Sequence, residues 1–199
     1  MGLDLTYQNG QTPLDEDEKE GLLIPSITTR EELDEFEQLN VEKAYQKHLL
    51  RRSIKTATIL SEEFIRRLHK DMYGDVWAWA GTYRKSNKNI GVDKFQIGTQ
   101  LRQLIDDCHY WIENKTYSDV EIAIRFKHRL VAIHPFPNGN GRHSRMMADI
   151  LMKYVFKKPA LSWGQKSLTS KSKTRTVYIQ ALKKADNFEI EPLLTFAQS

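Results

Sequence analysis

Residues 134–145 read His-Pro-Phe-Pro-Asn-Gly-Asn-Gly-Arg-His-Ser-Arg, and no regular element can run straight through them. Pro135 and Pro137 lack an amide hydrogen and fix φ, so a helix arriving from the N-terminal side must stop there. Gly139 and Gly141 then permit positive φ and a close approach to the backbone. From Asn140 the spacing of Met146, Met147, Ile150, Leu151 and Tyr154 is helical again, to about Phe156. The chain must therefore place a bend and a glycine-rich turn at the head of a helix.

That arrangement suits an anion. Successive N–H groups around Asn138-Gly-Asn-Gly-Arg142 can point into one concavity, and the amides and dipole of the following helix strengthen it. Arg142 and Arg145 fall on the same side of that helix's first turns. Two guanidiniums beside such a nest suit a polyphosphate better than a single carboxylate. His134 precedes the nest, where a neutral imidazole can take a proton from a hydroxyl approaching phosphorus. Taken singly, these features have plain readings: a histidine cap, an ordinary turn, a solvated helix face. Together they supply the base, cradle and counter-charge of phosphoryl-type transfer.

The rest of the chain reads as mainly α. Residues 1–25 form an irregular acidic arm between polar and proline signals. Thr28 or Thr29, with Glu31 or Glu32, opens a helix to about Leu50, with Leu33, Phe36 and Ala44 on one face. Ser61 opens another through Phe64, Leu68 and Met72, ending near Gly74. Further helices are expected over about 99–113 and from Ser118 to Ile133, the latter burying Val120, Ile124, Leu130 and Val131. The stretch 164–176 reads as a basic loop leading into a helix. Tyr178, Leu182 and Ala185 mark a packed face, and Asp186 caps a last helix through Leu193, Leu194 and Phe196. Between Arg84 and Ile97, Asn and Gly punctuation among Ile90, Val92, Phe95 and Ile97 predicts a short β-hairpin.

Composition narrows the classes. The 199 residues are 40% hydrophobic and 28% charged, as in a folded globular chain, with no apolar run long enough for a membrane-spanning helix. No signal peptide is visible, and the single cysteine, Cys108, excludes an internal disulfide and suits a reducing cytoplasm. A buried, unreactive thiol is expected there. Charge is uneven: residues 1–40 carry −9 and the remainder +13. A basic body attracts phosphates. A nucleic-acid-binding module using the Lys166–Arg175 stretch is the reading from another class, but no helix-turn-helix or zinc spacing supports it, and no nucleic-acid partner is expected.

The motif resembles that of the Fic (Fido) family: His, any, Phe, any, Asp or Glu, Gly-Asn-Gly-Arg, any two, Arg. His134, Phe136, Gly139, Asn140, Gly141, Arg142 and Arg145 match it. Leu68–Arg84 resembles the lead into the family's flap, and residues 178–196 its closing helices. Glu20–Leu33 resembles a subgroup called mobile mystery protein B. The resemblance implies a Fic-fold helical bundle with a short β-hairpin flap beside the active-site loop. It implies an acidic arm over 1–27 and one domain over 28–199, with an N-terminal helix at 28–50 and a core at about 55–197. It implies a protein adenylyltransferase that moves AMP from ATP, with Mg²⁺, onto a Ser, Thr or Tyr hydroxyl of a target protein. His134 would be the general base, Phe136 would fix the loop, and Gly139, Asn140, Gly141, Arg142 and Arg145 would hold phosphates. Ile90, Gly91, Val92, Gln96 and Ile97 would form the flap that pins the target by strand-like pairing.

One position departs from the pattern. Asn138 stands where the family has the acid that holds Mg²⁺, and a neutral amide is a poorer ligand for that ion. Weaker AMP transfer, a different donor or orientation, and a nucleotide-binding regulator with weak or lost turnover all stay open. Gly141, where the related Doc-type kinases have Lys, argues against Doc-like transfer. The family's inhibitory Ser/Thr-x-x-x-Glu-Gly/Asn pattern does not fit this chain. That leaves an unrestrained enzyme, a separate inhibitory partner protein, or a divergent acidic element such as Glu20 or one on the helix 29–49.

Overall fold

The structure is a computed structural model, and residues 13–50, 54–164 and 171–199 are described in it. Among them the chain forms α1 (Glu16–Lys19), α2 (Arg30–Tyr45), α3 (Thr56–Ile59), α4 (Glu62–Tyr73), α5 (Ile97–Glu113), α6 (Asp119–Ile133), α7 (Asn140–Ile150), α8 (Lys171–Asp186) and α9 (Glu191–Gln198). Two helices widen into a π turn at their ends, α2 over Gln46–Leu50 and α7 over Leu151–Val155.

The helix starts follow capping chemistry. Thr29 accepts from the N–H of Glu32, and the Glu32 carboxylate accepts from the N–H groups of Thr28 and Thr29. Ser61 accepts from Phe64 N–H at the head of α4, and Ser118 from Glu121 N–H at the head of α6. Buried apolar faces then assemble the bundle. Helix α6 packs on α5, α7 and α9; α2 lies on α4; α8 lies on α9. Phe64, Leu68 and Met72 of α4, Leu101 and Leu104 of α5, Ile124 and Phe126 of α6, and Met147 and Ile150 of α7 share the core. Cys108 is buried in it, and burial pushes its thiol up to about 12.

Several expectations change. The hairpin at 84–97 does not form, and the described residues contain no strand, only one bridge between Leu22 and Trp77. The segment is a loop followed by a 3₁₀ turn (Lys94–Gln96). Its backbone groups are taken by side chains instead of a second strand. Arg84 donates to the carbonyls of Ser86 and Val92, Asn87 Oδ1 accepts from Lys94 N–H, and Asp93 accepts from Phe95 N–H. Ile97 opens α5 and is buried in the core, so it is no flap residue. Phe36 is exposed while Leu33 and Ala44 are buried, because its position falls off the stripe that meets α4. Asp186 ends α8 and bonds His128, and Ile190 precedes α9 instead. In the stretch 164–176, residues 165–170 lie outside the described residues, and 171–176 begin α8, the helix expected after the loop. Residues 1–12 of the arm also lie outside them. The rest of the arm is ordered against the body: Leu14 and Ile27 are buried, and Trp79 Nε1 donates to Glu18 O.

Helix α2 is fastened to the end of α4 by a buried amide. Asn40 Nδ2 donates to Asp71 O at 3.1 Å, and Asn40 Oδ1 accepts from Asp75 N–H at 2.9 Å. Asn40→Ala leaves both backbone groups without that partner, and urea unfolding is expected to show a loss of about 2 kcal/mol. A loss under about 0.5 kcal/mol would mean that water replaces the amide at no cost.

Candidate active site

The bend is built as its residues require. Helix α6 ends where His134 adopts a left-handed conformation, φ 55° and ψ 59°, and Pro135 forbids another turn. The loop that follows is closed by Asn140. Its Oδ1 accepts from Phe136 N–H at 3.0 Å and its Nδ2 donates to Phe136 O at 2.8 Å. Phe136 is fully buried and stacks on His69 with ring centres 3.8 Å apart.

His69 gives the loop a second tether. Its Nδ1 accepts from Gly81 N–H at 3.0 Å, so Nε2 carries the proton and donates to Asn138 O at 3.0 Å. Burial, with His143 nearby, holds its pKa well below the usual imidazole value, consistent with one fixed neutral tautomer. The signal for His69 was thin: one histidine on an apolar helix face, 65 to 70 residues before the loop that it holds.

Gly139 precedes α7 with φ 77°, and a Cβ there would sit 2.6 Å from the Tyr73 ring. Gly141 differs, because a Cβ on it would meet nothing within 4 Å and would project into open space. Arg142 and Arg145 follow on the first turns of α7. Arg142 lies over the Tyr73 ring at 5.1 Å, and its Nη2 is 2.5 Å from Glu37 Oε2. Arg145 lies over the Tyr178 ring at 5.2 Å. The motif residues are thus brought to one turn, with each arginine steered by an aromatic ring from another helix.

Glu37 is 3% exposed and also accepts from Trp77 Nε1 at 2.8 Å. It is thus an acidic residue of the helix 29–49 that reaches Arg142. From the other side, the loop 86–92 meets His134 at Gly91. Gly91 is so close that a Cβ on it would be 2.7 Å from His134 Cβ. Ile90, Gly91, Val92 and Gln96 remain exposed or half-exposed on this loop. His134 itself is 5% exposed. Burial first, then the charges of Arg84 and Lys88, lower its pKa to about 4, so the imidazole is neutral at pH 7.

The donor set does not make a resident metal centre. No group of three or more His, Cys, Asp or Glu among the described residues can hold an ion. The only motif candidate, Asn138, is a neutral amide whose Oδ1 accepts from Gly139 N–H at 2.6 Å.

The two glycines separate fold from ligand. Gly139→Ala must move Tyr73 and adopt a strained φ, and is expected to lower stability by roughly 1–3 kcal/mol in denaturant titration. Gly141→Ala is expected to keep the melting temperature, because its methyl meets nothing within 4 Å, and to weaken polyphosphate binding if phosphates occupy that open space. Equal stability of both variants would refute this division.

Comparison with known proteins finds similar sequences and folds. A family model described as Fic/DOC matches residues 59–152. A protein of Drosophila virilis named protein adenylyltransferase Fic is 27% identical over 136 residues, 66% of this chain. The chain spans only 26% of that relative's own length. The N-terminal Fic domain of a Bep effector protein from Bartonella sp. AR 15-3 superposes with a TM-score of 0.67 at 15% identity, covering 86% of this chain and 83% of that one. The corresponding domain from Bartonella quintana, solved with bound ADP, gives 0.61 at 18% identity, over 87% and 86% of the two chains.

Proposed function

We propose that this chain, which a Fic/DOC family model matches over residues 59–152, is a protein adenylyltransferase. The reading rests on one observation above the others. A buried, neutral His134 stands at the head of a glycine nest flanked by Arg142 and Arg145, on a fold shared with a domain that binds ADP. The relatives named as adenylyltransferases point the same way.

In the proposed step, the oxygen of a Ser, Thr or Tyr hydroxyl on a target protein attacks the α-phosphorus of ATP. The bond from that phosphorus to the bridging oxygen breaks, pyrophosphate leaves with that electron pair, and AMP stays on the target. His134 takes the hydroxyl proton. The nest around Gly139, Asn140 and Gly141 faces the phosphates, and Arg142 and Arg145 balance the charge of the departing pyrophosphate. The exposed loop at Ile90, Gly91, Val92 and Gln96 is the surface on which the target lies. Mg²⁺ arrives with the nucleotide, held by phosphates and water, since the protein offers it only Asn138.

The second reading, a nucleotide-binding regulator with weak turnover, is favoured by the engaged amide of Asn138 alone. Transfer of label from α-³²P-ATP to protein, with Mg²⁺, separates the two. The expected result is labelling by the wild type that disappears in His134→Ala. No labelling by a wild type that binds ATP, restored by Asn138→Asp, would establish the regulator instead.

The sign of the pH dependence follows from the depressed His134. A base works when unprotonated, so kcat/KM, which reports the free enzyme, is expected to hold level from pH 8 to about 5.5 and to fall toward pH 4. Bound phosphates bring negative charge to the imidazole and raise its pKa, so the acid limb of kcat lies at higher pH. A kcat/KM limb near 6.5 would contradict a buried, cation-flanked base.

Glu37 restrains the cradle in this proposal, because its carboxylate competes with phosphate for Arg142. Glu37→Gln keeps the acceptor for Trp77 and removes the charge. ATP is expected to bind roughly threefold to tenfold more tightly, with the gain shrinking as salt is added. Weaker binding in a folded Glu37→Gln protein would instead make Glu37 the group that holds Arg142 ready.

A further inference from the structure

Arg84 lies outside the motif, yet its side chain touches both the base and the loop above it. It is 3% exposed. Its Nε donates to the carbonyl of His134 at 2.7 Å. Its Nη1 donates to Ser86 O at 2.8 Å and reaches Asn87 Oδ1 at 3.4 Å, and its Nη2 donates to Val92 O. The main chain adds two bonds at the same seam: Arg84 N–H donates to Pro135 O at 2.9 Å, and Val92 N–H donates to Ile133 O at 3.3 Å. One guanidinium therefore gathers three carbonyls, two from the ends of the loop 86–92 and one from His134 itself. A planar fork of five donors can do this, and a lysine ammonium on a flexible stem cannot hold the same three in plane.

The middle of the loop meets the base at Gly91. With φ 99°, it leaves room where a Cβ would be 2.7 Å from His134 Cβ and 3.0 Å from Arg84 Nη2. The outer side of the loop is also held. Lys88 Nζ lies 2.8 Å from Asp15 and 2.6 Å from Glu18, and Ser86 Oγ donates to Asp15 at 2.5 Å. The loop is thus pinned outside by the N-terminal turn and inside by Arg84.

We infer that Arg84 is a positioning residue. It locks the loop 86–92 and His134 into one unit, and so sets where a hydroxyl on a target laid along that loop meets the base. The inference rests on the AMP-transfer reading. Nucleophile and base must meet within hydrogen-bond reach, and a displacement of about 1 Å can cost on the order of 100-fold in rate. Arg84 also acts on His134 by charge. The charged groups around this seam are Arg84 and Lys88 facing His134, Glu18 and Asp15 paired with Lys88, and Asp93 and Glu18 acting on Arg84. Loss of the Arg84 charge makes His134 easier to protonate.

Arg84→Gln, Arg84→Lys and Gly91→Ala test the inference through three readouts. These are ATP affinity, the rate of label transfer, and the NMR titration midpoint of the His134 imidazole, assigned by comparison with His134→Ala. Arg84→Gln is expected to hold the ATP Kd within about threefold, lower kcat roughly tenfold or more, and raise the midpoint by about one pH unit. Arg84→Lys is expected to restore the midpoint but not kcat, since it returns the charge without the fork. A purely structural role would move stability and leave that split absent. Gly91→Ala, at an exposed position, is expected to lower kcat at unchanged ATP affinity, and it carries the test should Arg84→Gln fail to fold. Folded Arg84 variants with wild-type kcat, or with ATP affinity and kcat falling in parallel, overturn the inference. If the wild type transfers no label, the NMR arm decides. An unchanged midpoint in Arg84→Gln refutes the role of Arg84, while a raised midpoint supports it and leaves the failure with the AMP-transfer reading.

Discussion

The side-chain amide of Asn140 holds both backbone groups of Phe136, and the geometry of the site depends on that pair of bonds. Without it, the break after α6 would be a flexible elbow, because prolines stop a helix but do not say where the chain goes next. With it, Phe136 is driven into the core against His69, and His69 in turn binds the carbonyl of Asn138. The loop is therefore closed on itself and tied to α4. Buried polar groups cost free energy unless satisfied, so each such bond also removes alternatives for the chain. The result is a turn fixed at Phe136 and Asn138, with His134 at its edge.

Around this turn the charges are arranged in opposition. Arg142 faces Glu37, Lys88 faces Asp15 and Glu18, and Arg84 is spread over three carbonyls. Among the described residues, the acidic N-terminal stretch thus meets the basic body at Lys88 and at Arg142. One contact bears on the cradle and the other on the loop over His134. Under the proposed function, a polyphosphate arriving at Arg142 and Arg145 meets a site whose positive charge Glu37 already partly neutralises, which links binding to the position of α2. His134 is neutral for the same electrostatic reason, since burial and two nearby cations oppose its protonation.

The helices and their caps were largely legible in the sequence. Thr29 with Glu32, Ser61 before α4 and Ser118 before α6 act through partners three residues away, and such chemistry can be read from spacing alone. The loop at 84–97 was not legible as it stands. Ile90 and Val92 keep a period of two, but Phe95 and Ile97 slip by one residue, and Arg84, Asn87 and Asp93 satisfy the backbone that a second strand would have paired. Phe36 was misplaced because the burial of a helix face depends on what packs against it, and α4 covers only a narrow stripe of α2.

The sequence by itself determined the motif, the helical class and the chemistry available at residues 134–145, because these depend on residue types at short, fixed spacings. The rotation of Asn138 onto Gly139, the reach of Glu37 across 105 positions to Arg142, and the grip of Arg84 on His134 were decided only by tertiary structure. Each joins groups whose distance along the chain says nothing about their distance in space, and packing of the bundle alone brings them within a hydrogen bond.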